Sequence, residues 1–148
     1  MAFVLNLIWF ILGGLVLCIT WFLGGLIMCI TVIGIPFGVA CFRIAGFIAF
    51  PFGKDIIDAR LLGEKRITGT ALMNFLWIVL AGIWLAISHA IAAVLCFITI
   101  IGIPLAVIHA RMARVSFAPL GKRIVIKSEV REAIKYNTRA KIEKRKKA

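Results

Sequence analysis

The segment TVIGIPFGVACFRIAGFIAFPFGK, residues 31–54, decides the fold, because a segment with the same layout follows 68 residues later. That second segment, residues 99–122, reads TIIGIPLAVIHARMARVSFAPLGK. Extended towards the N-terminus, the alignment of residues 6–54 with residues 74–122 has no gap and 18 identical positions among 49. Such self-similarity identifies a repeat, which has to be recognised before single residues are interpreted. The chain therefore contains one unit twice.

Composition places both units in a membrane. The 148-residue chain is 63% hydrophobic and 16% charged, whereas soluble domains average roughly 45–50% apolar and 25% charged residues. No Asp, Glu, Lys or Arg occurs in residues 1–42 or 67–110. A single helix as long as either run would measure about 60 Å, twice the hydrocarbon thickness of a bilayer. Each run is therefore expected to cross, turn and return.

The predicted fold is an all-α polytopic membrane protein of two tandem helical-hairpin repeats, with about four membrane segments and a basic cytoplasmic C-terminal tail. The expected divisions are a first repeat 3–54, a charged linker 55–70, a second repeat 71–125 and the tail 126–148. Lys and Arg concentrate in the linker and the tail, which the positive-inside rule assigns to the cytoplasm. The repeats are then parallel. One crossing per copy with a re-entrant helix would instead invert the second repeat and place the linker outside.

Residues that recur in both copies are the candidates for a shared role. A proline inside a helix removes a hydrogen bond and bends the helix, so the repeated Gly-Ile-Pro predicts a kink or hinge in the second membrane segment. Its residues are Gly34, Pro36, Gly102 and Pro104. The kink serves either a water or ion path or helix packing alone. Gly38 and Ala106 follow four residues after the two glycines, a spacing that predicts close helix packing within the chain or between subunits.

Arg43 and Arg111 recur among apolar neighbours. Eleven residues separate each arginine from the lysine that ends its copy, a distance of at most about 16 Å along a helix. An ionisable residue inside a membrane is a candidate functional residue. The pair is predicted to form a cationic ring at a pore mouth or to clamp lipid phosphates. Snorkelling that fixes the helix depth is the structural alternative.

Trp9 and Trp77 lie near the start of each copy, and Lys54 and Lys122 end it. Tryptophan and lysine are enriched where a membrane meets water, so these four residues are predicted to be interface anchors.

The sequence contains no recognisable arrangement of catalytic residues. All six acidic residues lie outside the uncharged runs, and no paired carboxylates or Ser/His/Asp arrangement is recognisable. The cysteines and histidines do not recur in the second copy. We therefore expect no enzyme activity, no metal and no cofactor. The basic tail has no aromatic stacking platform, which favours anionic lipid over nucleic acid as its partner.

The repeated Ile-Gly-Ile-Pro, arginine and Pro-x-Gly-Lys resemble the YccF domain family, small bacterial inner-membrane proteins that carry this unit in two copies. The resemblance covers roughly residues 3–125. It implies a multi-pass protein of the bacterial inner membrane and carries over no catalytic residues.

Two functions are open from the sequence. The first is a channel-like or pore-forming homo-oligomer, because small residues at helical spacing favour assembly and the arginines could line a cytoplasmic mouth. The second is a non-catalytic accessory or scaffold protein that binds anionic lipid or a partner protein through its arginines and tail.

Overall fold

The computed structural model describes residues 2–64, 68–100 and 102–146. Residues 65–67 of the predicted linker and residues 147–148 of the predicted tail lie outside the described residues. In chain order the elements are α1 Ala2–Cys29, α2 Ile35–Ala49, β1 Lys54–Asp58, α3 Thr70–Phe97, α4 Ile103–Phe117, β2 Lys122–Ile126 and α5 Lys127–Lys146. Short 3₁₀ turns occupy Val32–Gly34 and Ala59–Leu62, and α1 and α3 contain π-helical turns at Phe10–Gly14 and Ile78–Gly82.

The four apolar helices form two antiparallel hairpins, α1 with α2 and α3 with α4. Helices suit these uncharged runs because a helix satisfies its backbone polar groups internally, as hydrocarbon requires. Within the described ranges, the helical stretches long and apolar enough to cross a membrane are Ala2–Cys29, Val32–Ala49 and Thr70–Phe97. The stretch Val32–Ala49 combines α2 with the 3₁₀ turn before it. Helix α4 has 15 residues, as α2 does, and takes the place of α2 in the second hairpin. The predicted all-α polytopic fold of two hairpin repeats is confirmed.

A two-stranded antiparallel sheet joins the ends of the two repeats. Strand β1 follows the first hairpin and β2 follows the second, with Ile56 opposite Ile124 and Asp58 opposite Lys122. These strands were not predicted from the sequence. Each has five residues, and its pairing partner comes from the other copy of the repeat, so neither strand is recognisable in isolation.

The two repeats are related by a pseudo-twofold axis. Ile56 and Ile124 are equivalent residues of the two copies, and they face each other in the sheet. Trp21 and His89 are also equivalent, and their rings stack with centroids 6.5 Å apart between the hairpins. The pseudo-twofold axis passes through both of these pairs, so it runs from the sheet into the space between the two hairpins. The two hairpins are therefore parallel, with both open ends at the sheet. This geometry excludes the alternative in which the second repeat is inverted relative to the first.

The core fills the space around this axis. Phe47 and Met112 are completely buried, and Ile108 is 1% exposed. In lipid, helices associate through close packing rather than through the hydrophobic effect, so this core is stabilised chiefly by dispersion contacts. Its remaining buried members come from both hairpins and are Trp9, Trp21, Phe37, Cys41, Ile44, Ala45, Ile48, Trp77 and Val115.

Candidate functional site

A threonine closes the turn of each hairpin. The Thr31 hydroxyl oxygen accepts a hydrogen bond from the Gly34 N–H at 3.1 Å, and Thr99 accepts one from Gly102 at 3.1 Å. A Cβ atom at Gly34 would overlap the carbonyl oxygen of Met28. Glycine is therefore required here by the close approach of the preceding helix end.

Pro36 and Pro104 lie in the first turns of α2 and α4. The missing proline N–H costs little there, because the first N–H groups of a helix have no partner within the helix. The carbonyl of Val32, four residues before Pro36, accepts from the Ile35 N–H. The prediction of a kink inside a membrane helix is therefore wrong: Gly34, Gly102 and the two prolines start a helix after a turn.

Gly38 packs the first hairpin tightly. A Cβ atom there would overlap the Cys29 sulfur and lie 2.7 Å from the carbonyl oxygen of Gly25. Its equivalent Ala106 is 6% exposed and faces Ala93 across the groove between α3 and α4. Both small residues thus bring helices together within the chain. A role between subunits stays a prediction.

An asparagine clamps the loop that leaves each hairpin. The Asn6 carbonyl accepts from the Phe52 N–H at 2.8 Å, and its amide donates to the Phe52 carbonyl at 3.2 Å. Asn74 makes the same two bonds with Leu120, at 3.1 and 3.2 Å. The clamp satisfies both polar groups of a residue that has left the helix, which is a requirement wherever water is scarce. It also fixes the open end of the hairpin.

Trp9 and Trp77 point into the protein. They are 2% and 5% exposed, and their indole N–H groups donate to the carbonyls of Ile48 at 2.6 Å and Ser116 at 2.8 Å. A buried indole N–H needs such a partner. The prediction that these tryptophans belong to an interfacial aromatic belt is therefore wrong, because they tie the start of each hairpin to its returning helix.

Arg111 reaches the strand that follows the first repeat. Its Nη1 donates to the Lys54 carbonyl at 3.1 Å and lies 3.8 Å from a carboxylate oxygen of Asp55. Arg43, the equivalent residue, lines a cavity next to Lys122 and Gly121. Both arginines therefore lie beside the sheet, at the end of the molecule where the chain leaves the apolar helices.

Charged side chains of the sheet and its adjoining turn form ion pairs. Lys122 Nζ lies 3.7 Å from Asp58 Oδ2, and Arg60 donates to both oxygens of Asp58 at 2.9 and 3.1 Å. Hydrogen bonds from Arg60, and more weakly the charge of Lys122, hold the pKa of Asp58 well below its usual value. Lys54 and Lys122 begin the two strands, and their role as interface anchors stays a prediction.

The basic helix α5 is held against the sheet. The Lys127 N–H donates to the Gly53 carbonyl at 3.1 Å, and a Glu129 carboxylate oxygen accepts from the Ile126 N–H at 3.2 Å. Farther along, the Asn137 amide donates to the Leu61 carbonyl at 2.7 Å. The tail is thus attached to the sheet and to the 3₁₀ turn Ala59–Leu62.

Metal-ligating side chains do not gather into groups of three or more anywhere in residues 2–64, 68–100 and 102–146. The Nδ1 atoms of His89 and His109 are 3.2 Å apart. One of these two ring nitrogens donates to the other.

Comparison with known proteins identifies the family. Two segments, residues 4–54 and 72–122, match YccF, described as an inner membrane component domain. The chain belongs to the YccF family. It is 28% identical to the Inner membrane protein YccF of Escherichia coli strain K12 and to that of Shigella flexneri, over 97% of this chain and 100% of either relative. No solved structure matches the chain.

Membership in the YccF family and the apolar helices make this an inner-membrane protein. Sequence reasoning missed two parts of the site in this YccF protein. Asn6 and Asn74 recur at the same position, but their partners lie 46 residues away. Arg111 was predicted to lie among apolar neighbours, whereas its acidic neighbour Asp55 comes from strand β1, which follows the first repeat.

Proposed function

We propose that this YccF protein is a non-catalytic membrane scaffold, and that the end of the molecule formed by β1, β2 and α5 binds anionic lipid headgroups. The supporting observation is that β1, β2 and α5 lie together at the open ends of both hairpins. Residues 54–64 and 122–146 contain 12 Lys or Arg and 6 Asp or Glu. Clustered basic residues beside a membrane exit attract anionic lipid with about 1 kcal/mol per residue near the surface.

The geometry of α5 supports a surface role. Its contacts with Gly53 and Leu61 hold it against the sheet and the adjoining turn. Two of its apolar side chains are open to the surroundings, Tyr136 at 75% and Ile134 at 49% exposed. A helix that carries many basic residues and a few exposed apolar ones is suited to lie on a membrane surface. We place this end in the cytoplasm, following the positive-inside rule.

A channel-like homo-oligomer stays a prediction from the sequence. The space around the pseudo-twofold axis of one chain is filled by residues such as Phe47 and Met112. A pore would therefore have to form between copies of the chain, and native mass measurements in nanodiscs would reveal such an assembly.

The proposal is tested by the lipid that surrounds the full chain. We would reconstitute it in phosphatidylcholine vesicles containing a minor fraction of phosphatidylglycerol, extract it with a styrene–maleic acid copolymer, and measure the phosphatidylglycerol content by phosphorus NMR. We expect phosphatidylglycerol to be enriched around the protein over its bulk fraction, because basic residues attract its charged headgroup. Salt screens this attraction, so the enrichment should fall as the salt concentration rises.

A variant in which Arg131, Lys135 and Arg139 are replaced by glutamine should lose part of that enrichment. Replacement of Ser128 by alanine on the same helix is the matched control and should leave it unchanged. Extracted particles with the bulk lipid composition at low salt would contradict the proposal.

A further inference from the structure

Arg43 and Arg111 are equivalent residues with different surroundings. Arg111 has a carbonyl partner and an acidic neighbour, Asp55. The residue of the second copy equivalent to Asp55 is Arg123, so the internal symmetry offers Arg43 a cation in place of a carboxylate. Among the residues that the structure describes, Arg43 makes no hydrogen bond or ion pair.

The nearby carboxylates are engaged with other cations. Glu64 binds Arg123 through two contacts, with nitrogen–oxygen distances of 2.9 and 2.6 Å. Asp58 accepts both of its short contacts from Arg60 and only a longer one, 3.7 Å, from Lys122. Positive charge beside the first-repeat arginine is therefore only partly neutralised within the chain.

A cavity of about 40 Å³ adjoins Arg43. Its lining combines the charged Arg43 and Lys122 with apolar residues that include Ile44 and Ile124. The space is large enough for about three water molecules. The planar guanidinium binds two phosphate oxygens at once, and a lysine adds a point charge. Cations beside apolar side chains suit a phosphate that is joined to a hydrocarbon-bearing group.

We propose that Arg43 and Lys122 bind one phosphate group at this cavity, supplied by an anionic lipid headgroup. In the second repeat, the carboxylate of Asp55 occupies the place that the phosphate takes in the first. This inference rests on the proposed binding of anionic lipid and narrows it to a single site. The location suits a lipid headgroup, because both arginines lie beside the sheet where the chain leaves the apolar helices.

The test measures binding of phosphatidylglycerol to the full chain in detergent by native mass spectrometry. We expect wild type to hold one phosphatidylglycerol more tightly than any others. Arg43→Gln should weaken that binding by about tenfold or more. Arg111→Gln is the matched control in the other repeat and should bind as wild type does. Arg43→Lys keeps the positive charge but loses the planar guanidinium that binds two oxygens at once. Its affinity for phosphatidylglycerol should therefore lie between those of wild type and Arg43→Gln.

Asp55→Asn should gain binding, because removal of the carboxylate charge frees Arg111 to hold a second phosphatidylglycerol. A misfolded variant would not show this gain. Circular dichroism checks that each variant is folded. Unchanged binding by folded Arg43→Gln, or equal loss in Arg43→Gln and Arg111→Gln, would overturn the site. Displacement of the lipid by millimolar inorganic phosphate would overturn the assignment to a lipid headgroup.

The site and the proposed function fail in different ways. If wild type and Arg43→Gln show the same salt-sensitive phosphatidylglycerol enrichment in extracted particles, the site is wrong and the function stands. If wild type shows no enrichment, the function itself is wrong.

Discussion

Replacement of Asn74 by leucine removes the clamp at the open end of the second hairpin. Asn74 is 7% exposed, and its amide pairs with both polar groups of Leu120, at 3.1 and 3.2 Å. Leucine has a similar size but offers neither a donor nor an acceptor. The Leu120 N–H and carbonyl would then have no partner in a half-buried loop.

The expected loss follows from these two bonds. A neutral hydrogen bond contributes about 0.5–1.5 kcal/mol, and a buried polar group left unpaired costs about 1–3 kcal/mol. Because Leu120 is only half-buried, water compensates in part. We therefore expect Asn74→Leu to lower the free energy of unfolding by about 2–4 kcal/mol. Asn6→Leu should cost a similar amount, since Asn6 forms the same pair with Phe52.

Unfolding in mixed micelles with increasing sodium dodecyl sulfate, followed by circular dichroism, measures this loss. Asn137→Leu is the matched control, because Asn137 makes one exposed bond, to the Leu61 carbonyl, and should cost less than about 1 kcal/mol. If Asn74→Leu costs no more than Asn137→Leu, the reasoning about the clamp is refuted.

Three further predictions follow from packing, burial and charge. Gly38→Ala should destabilise the hairpin by about 1–3 kcal/mol because its Cβ has no room, whereas Gly46→Ala, with nothing within 4 Å of the new atom, should be neutral or stabilising in the same detergent titration. In single-tryptophan variants, brominated lipid should quench Trp84, which is 68% exposed, far more than Trp77, which is 5% exposed; equal quenching would restore the interfacial placement. Because the pKa of Asp58 is lowered from its usual 3.8, its contribution to stability is complete above that pH and is lost as the pH falls below it; the acid-dependent decrease in thermal stability should therefore be smaller in Asp58→Asn than in wild type.

The hairpins and their number were predictable because charge-free runs and a repeat report directly on membrane crossing. These inferences need only the positions of the charged residues, the internal repeat and the length of a helix.

Features that depend on contact between the copies were not predictable in the same way. Strands β1 and β2 pair across the pseudo-twofold axis, and the differing surroundings of Arg43 and Arg111 arise because Asp55 is replaced by Arg123 in the second copy. The proline error has a local cause. A proline within an apolar run is compatible with a kink or with a helix start, and the repeated threonine before it, Thr31, was the signal for a turn.

The central claim is that the hairpins are parallel, with β1, β2 and α5 on one side of the membrane. The most direct test introduces single cysteines at Leu62 and Tyr136 in a chain without native cysteines, and labels each in intact spheroplasts and in lysed cells with a membrane-impermeant maleimide. We expect both positions to react only after lysis, which would place them together on the cytoplasmic side. Labelling of Leu62→Cys in intact spheroplasts while Tyr136→Cys stays protected would contradict it, because the repeats would then be inverted.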